Sequence, residues 1–155
     1  MREYLLEGIK KIGLEYTEEK VDNLIKYLNL LVEYNSHTNL TAIRDEKGII
    51  EKHFLDSLLL QNLIKEGTEK AIDIGTGAGF PGMVLAIFNP EIEFTLMDSI
   101  GKKTKFLQLV KEELNLENVN VVTSRAEDYI TDENRESYDL GLCRGCLLYT
   151  SPSPR

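Results

Sequence analysis

Basic residues are in short supply in this chain. Lysine and arginine total 18 against 26 aspartates and glutamates, a formal net charge of −8. A general polyanion binder needs the opposite balance. A nucleic-acid partner is therefore admissible only if the cations collect on one face. Cysteine is scarcer still: Cys143 and Cys146 have no second Cys-x-x-Cys pair to complete a zinc site. No apolar run reaches the roughly 20 residues of a membrane span. Met1-Arg2-Glu3-Tyr4 opens an acid-bearing amphipathic segment, not a secretory signal. These scarcities imply a cytoplasmic protein with no membrane partner. No Ser/His/Asp or Cys/His set offers a nucleophile with its base, no internal repeat is visible, and no metal is expected. His53 and Asp56 share a spacing of three, but two side chains do not make a metal site, and local hydrogen bonding accounts for them better.

What is present is organised around Ala71-Ile-Asp-Ile-Gly-Thr-Gly-Ala-Gly-Phe-Pro-Gly82. The stretch reads as a buried strand, a turn with Gly75, Gly77 and Gly79 alternating, and a helix opening at Pro81 or Gly82. Glycine takes positive φ and lets a ligand approach the backbone, while the helix turns its free N–H groups toward the turn. Such a turn at a strand's carboxyl end suits a nucleotide-like ligand. Two ligand classes compete. Gly77-x-Gly79-x-x-Gly82, with Asp98 roughly 20 residues on, fits a dinucleotide. Asp73-x-Gly75-x-Gly77-x-Gly79 fits S-adenosylmethionine, and an Asp73 carboxylate at the strand tip suits a cationic ligand while repelling a pyrophosphate.

The remaining 155-residue chain, 42% hydrophobic, is long enough to enclose a core. Helices are expected from Glu3 to Leu14 and from Glu18 to about Tyr34, the second capped by Thr17. Tyr34 to Arg44 is a polar break. A short helix spans Glu46 to Lys52, and His53 leads into another ending near Ile64. Strand–helix alternation then begins. Strands fall at Ala71–Ile74, Phe94–Met97, Val119–Val122 and Tyr138–Leu142, and helices at Gly82–Phe88 and Lys102–Leu114. Ser124–Asp128 reads as a loop. The alternation implies an α/β fold with a parallel sheet that places Asp73, Asp98 and Glu127 around one rim. The segment 1–66 is helical and 67–145 is the α/β domain.

Gly-Thr-Gly-Ala-Gly-Phe-Pro-Gly, Asn39-Leu-Thr-Ala-Ile-Arg-Asp45, His53-Phe-Leu-Asp-Ser-Leu58 and Asp98-Ser-Ile-Gly-Lys-Lys-Thr-Lys-Phe-Leu107 together resemble the bacterial 16S rRNA guanine-N7 methyltransferases of the RsmG/GidB family. The resemblance implies a Rossmann-like class I methyltransferase sheet, S-adenosyl-L-methionine as cofactor, and 16S rRNA or the small ribosomal subunit as partner. It also implies a monomer when full length. Carried over residue by residue, Gly75 and Phe80 match glycine-loop cofactor contacts, and Ala126 and Glu127 match the pair flanking the adenosine. Arg144 matches the arginine after strand four, and Asp98 stands where the ribose hydroxyls are held. Guanine N7 carries no proton, so methyl transfer to it needs positioning and no general base. Lys102, Lys103, Lys105, Arg125 and Arg144 follow strand tips and are expected to gather near the rim against RNA phosphates. An oxidoreductase fragment binding NAD and a vestigial RNA- or protein-binding module are the alternatives.

The chain departs from the family pattern at its end. Residues 146–155 show neither helical nor strand periodicity, contain Pro152 and Pro154, and read as a non-native tail resembling a translated sequencing adaptor. About four of the family's seven strands are then expected, with strand four an unpaired edge and the chain poorly soluble or partly molten and weakly active at best.

Overall fold

The computed structural model describes residues 1–129, 137–144 and 146–149. Two amphipathic helices open the chain. α1 (Arg2–Ile12) buries Leu5 and Ile9 and ends at Gly13, whose φ of 82° is left-handed. α2 (Glu18–Asn35) starts at Thr17, whose hydroxyl accepts from the Lys20 N–H at 3.2 Å. Glu18 and Glu19 then lie at the positive end of its dipole. Its buried stripe runs through Val21, Leu24, Tyr27, Leu28 and Leu31. Each such aliphatic side chain contributes roughly 1.5–3 kcal/mol by leaving water. One hydrophobic cluster extends from Leu5 to Leu142, so these helices pack on the same core as the strands.

The next helical stretch differs from the expected pair of helices meeting at Lys52 and His53. α3 (Glu46–Ile49), a π-helical segment (Ile50–Leu55) and α4 (Asp56–Leu58) follow one another without a break, and a 3-10 turn covers Gln61–Leu63. No proline or glycine stands at Lys52–His53 to stop the helix. Burial of Ile50, His53 and Phe54 holds the wider π turn in place. Single π turns recur at functional sites, and this one carries His53.

β1 (Lys70–Ile74), β2 (Glu93–Asp98), β3 (Val119–Thr123) and β4 (Leu140–Cys143) are parallel in the order β3-β2-β1-β4. α5 (Gly82–Phe88) connects β1 to β2, and α6 (Gly101–Glu113) connects β2 to β3. Every residue of α5 is buried, because it packs against β2 on one side and α2 and α4 on the other. β1 is central, so Ala71, Ile72 and Asp73 are all buried and the strand lacks an alternating pattern.

Three details depart from the sequence reading. Residues placed in a loop after β3 form a short helix, α7 (Ala126–Tyr129). β4 begins at Leu140, two residues later than Tyr138. Cys146–Tyr149, expected to lack regular structure, is β5 and pairs antiparallel with β4. β4 is therefore not an edge: the returning chain takes up backbone groups that an open strand would leave unpaired. Pro152 and Pro154 lie outside the described residues.

Candidate active site

The tips of β1 and β2 build the site. Between β1 and α5 the backbone passes through positive φ at Gly75 (72°), Gly77 (62°) and Gly79 (113°), so the alternating glycines answer three separate backbone demands. The N–H groups of Gly75 and Thr76 both donate to the Met97 carbonyl, at 2.8 and 3.0 Å, which ties the turn to β2. Asp98 ends β2 and tightens the joint. One carboxylate oxygen accepts from the Gly77 N–H at 2.8 Å and the other from the Ile100 N–H at 2.9 Å.

Asp73 does not stand on the rim where the sequence reading put it. It is fully buried beneath the turn. Its Oδ2 accepts from the Thr76 hydroxyl at 2.7 Å and from the Gly82 N–H at 2.8 Å. Its Oδ1 has no hydrogen-bond partner among the described residues. Burial pushes the carboxyl up from its ordinary 3.8 to about 7; the bonds from Thr76 and Gly82 oppose that rise, and the charge of Asp98 adds to it. Gly82 is required here for space, since a Cβ would lie 2.7 Å from Asp73 Oδ2. The rim carboxylates are Asp98 and Glu127, which line a common cavity.

The polar break 35–44 forms a wall facing the glycine turn, a role the sequence reading did not assign. Asn35, buried at the end of α2, organises it. Its side-chain oxygen accepts from the N–H groups of Leu40 (2.9 Å) and Thr41 (3.1 Å), and its amide donates to the Thr41 carbonyl at 3.1 Å. Arg44 folds back, donating to the Asn35 carbonyl and to Asn39 Oδ1, both at 2.8 Å. Thr41 shares a 2.8 Å hydrogen bond with His53 Nε2, and the His53 ring stacks on Phe80 at 4.2 Å and 7°. His53 thus joins the wall to the glycine turn, and its partner is Thr41, not the neighbouring Asp56. Burial, with Arg144 nearby, lowers its pKa from 6.5 to about 4, so the ring is neutral at neutral pH. Tyr27 of α2 completes the frame: its ring stacks on Phe80 at 5.7 Å and its hydroxyl donates to the Ala78 carbonyl. The signal for this wall was the run of turn-forming polar residues; its partners lie far away in sequence, where no spacing rule reaches.

Two cavities meet at Gly75 and Asp98. The larger, about 710 Å³, is bounded by the 39–44 wall, the glycine turn and Phe80. Its charged lining is cationic at Arg44, Lys103 and Arg144 and anionic at Asp98. The smaller, about 310 Å³, lies toward β3 and holds Arg125, Ala126 and Glu127. The structure therefore gathers Gly75, Gly77, Phe80, Asp98 and Arg144 around one opening, and Ala126 and Glu127 around the other. Gly79 lines neither cavity; it packs against Met83 and Tyr27. The five expected cations do not share one rim. Lys103 and Arg144 reach the large cavity, Arg125 the small one, and Lys102 and Lys105 a third recess. Lysines three apart on a helix share a face, and the one between them points elsewhere.

A family model described as GidB, rRNA small subunit methyltransferase G, matches residues 20–149. The chain belongs to the GidB family. It is 63% identical over 145 residues to the ribosomal RNA small subunit methyltransferase G of Fusobacterium nucleatum, covering 94% of this chain and 62% of that protein. It is 42% identical to the protein of the same name from Acetivibrio thermocellus, covering 93% of this chain and 60% of that one. The chain thus spans about three fifths of the length of these relatives. Among solved structures, coclaurine N-methyltransferase bound to N-methylheliamine and SAH superposes with a TM-score of 0.52 at 18% identity, over 92% of this chain and 46% of that one. That likeness shows the fold, a Rossmann-like class I methyltransferase sheet. GidB membership gives no support to the oxidoreductase alternative or to the vestigial binding module.

Proposed function

We propose that this GidB-family chain uses S-adenosyl-L-methionine to methylate N7 of a guanine in 16S ribosomal RNA. The observation that carries the reading is the glycine turn with three positive-φ residues, clamped by Asp98 and opening on a large cavity whose charged lining is mainly cationic. The residues fit the cofactor. The turn exposes backbone at glycines, and the buried Asp73, whose Oδ1 has no hydrogen-bond partner among the described residues, sets negative charge beneath the turn when ionised, which favours a ligand of positive charge. Gly75, Gly77, Phe80 and Asp98 would hold it on one side and Ala126 and Glu127 on the other, with Asp73 and Gly79 setting the turn from beneath.

S-adenosylmethionine supplies an electrophilic methyl on a sulfonium. The chain's own work is binding and orientation. Guanine N7 offers an in-plane lone pair without a proton, so no side chain needs to act as base. Arg44, Lys103 and Arg144 meet the negative charge of RNA, and the stacked His53 and Phe80 rings give the cavity a flat face. The small ribosomal subunit or its rRNA is the partner, the compartment is the cytoplasm, and the full-length protein is a monomer. Residues 67–145 carry the cofactor, and 1–66 supply the wall that faces the substrate.

The test is calorimetry with S-adenosylmethionine and NAD, followed by radiolabelled methyl transfer to small-subunit rRNA with chemical cleavage at N7-methylguanine. Binding of the first ligand alone, with one mapped guanine, is expected. Preference for NAD would overturn the cofactor reading, and label at any other atom would overturn the N7 assignment.

A further inference from the structure

α6 carries Lys102, Lys103 and Lys105 in its first turns. Lys103 turns to the large cavity, whereas Lys102 and Lys105 border a separate recess of about 460 Å³. That recess is built differently. Its floor is Phe106 and Leu40, both 4% exposed, and its sides are the half-buried Tyr34 and Leu109. The Tyr34 and Phe106 rings lie 6.1 Å apart at 51°, and of the two Tyr34 presents the accessible aromatic surface. Among the described residues no carboxylate lines the recess, in a chain where acids outnumber bases 26 to 18. Leu40 lines both openings, so the recess and the substrate cavity are next-door neighbours across one side chain.

We propose that this recess takes a nucleobase of single-stranded RNA adjacent to the nucleotide seated in the large cavity. This rests on the RNA reading above and adds a second base subsite to it. The base stacks against Tyr34, with Phe106 beneath as the apolar floor, and its phosphates meet Lys102 and Lys105. Base–aromatic stacking serves any sequence, because each base has a π face. The charge pattern matches one occupant: an apolar plane with an anion at its edge. An aliphatic protein segment would use the floor but not the paired cations.

The experiment measures binding of the 155-residue chain to a short fluorescent single-stranded RNA containing one guanine, and to the same RNA made abasic at the neighbouring nucleotide, with S-adenosylmethionine affinity measured in parallel. For the wild-type chain the abasic RNA is expected to bind about tenfold more weakly. Tyr34→Leu loses a similar factor on intact RNA and shows no further loss on abasic RNA. Lys102→Gln with Lys105→Gln, both at exposed positions, flattens the salt dependence by about 1.4 in log–log slope, roughly 0.7 for each lost phosphate contact. S-adenosylmethionine affinity stays at the wild-type value in all of these. The inference is overturned if intact and abasic RNA bind the wild type alike, or if both variants keep wild-type affinity and salt slope. Absence of any RNA or S-adenosylmethionine binding by the wild type overturns the proposed function itself. The lysine pair alone decides the matter if Tyr34→Leu fails to fold.

Discussion

If the chain binds a cationic cofactor as proposed, Asp73 is expected to make that affinity depend on pH. Its carboxyl is held near 7 by burial, so at neutral pH about half of the molecules carry it protonated. A sulfonium or ammonium ligand binds the ionised form preferentially. With a pKa of about 7, roughly one molecule in eleven is ionised at pH 6 and ten in eleven at pH 8. If the ionised form is the binding form, affinity rises about tenfold over that interval, or about 1.4 kcal/mol. His53 titrates near 4, below the interval. The ligand's own amine does titrate near its upper end, so the control is Asp73→Asn, which keeps the shape and removes the ionisation. Calorimetry in two buffers of different ionisation enthalpy, from pH 6 to 8, reads both affinity and protons released. The expected result is a tenfold rise with proton release in the wild type, and the loss of that component in Asp73→Asn. Equal pH profiles in the two proteins would refute the reasoning.

Four further outcomes follow from the geometry. Gly79→Ala places a methyl 2.8 Å from Met83 Cβ at a φ of +113°, and should cost about 2 kcal/mol or more in urea unfolding. Gly77→Ala, with open space around its Cβ and a φ of +62°, should cost only about 1 kcal/mol while weakening cofactor binding, so the two substitutions separate fold from ligand contact. The His53 pKa is lowered on folding, from 6.5 to about 4. Stability from this residue is therefore full above 6.5 and lost as pH falls toward 4, by a ceiling of roughly 3 kcal/mol; a His53→Gln variant should show a shallower acid limb in thermal melts. Tyr27→Phe keeps the ring stack but leaves the Ala78 carbonyl without its hydroxyl partner, and should lower stability by about 1–2 kcal/mol in denaturant melts.

The glycine turn was legible in the sequence because its demands are local. Positive φ at Gly75, Gly77 and Gly79 follows from strand, turn and helix within a dozen residues. The Thr17 cap and the Gly13 stop were legible for the same reason. What the sequence withheld depends on distance. Thr41 meets His53 across twelve residues, and Phe80 reaches the same ring from the other end of the core. No periodicity reports such a contact. Asp73 was misplaced because its position at a strand tip is visible in sequence, whereas the direction of its side chain is set by Thr76 and Gly82. The π turn was hidden because its residues have the same apolar spacing as an ordinary helix. β5 was hidden by brevity: four residues are too few for alternation to register.

The Asn35 amide closes a loop of only seven residues, from itself to Thr41. Closing so short a loop costs little chain entropy. That cost is met within the folding of α2 and is not charged to the ligand. A molecule entering the large cavity therefore finds this side already shaped and has no segment there to set in order. For an anionic entrant such as the proposed RNA, arrival is expected to be set by encounter and by the pull of Arg44, Lys103 and Arg144, and departure by the contacts it makes.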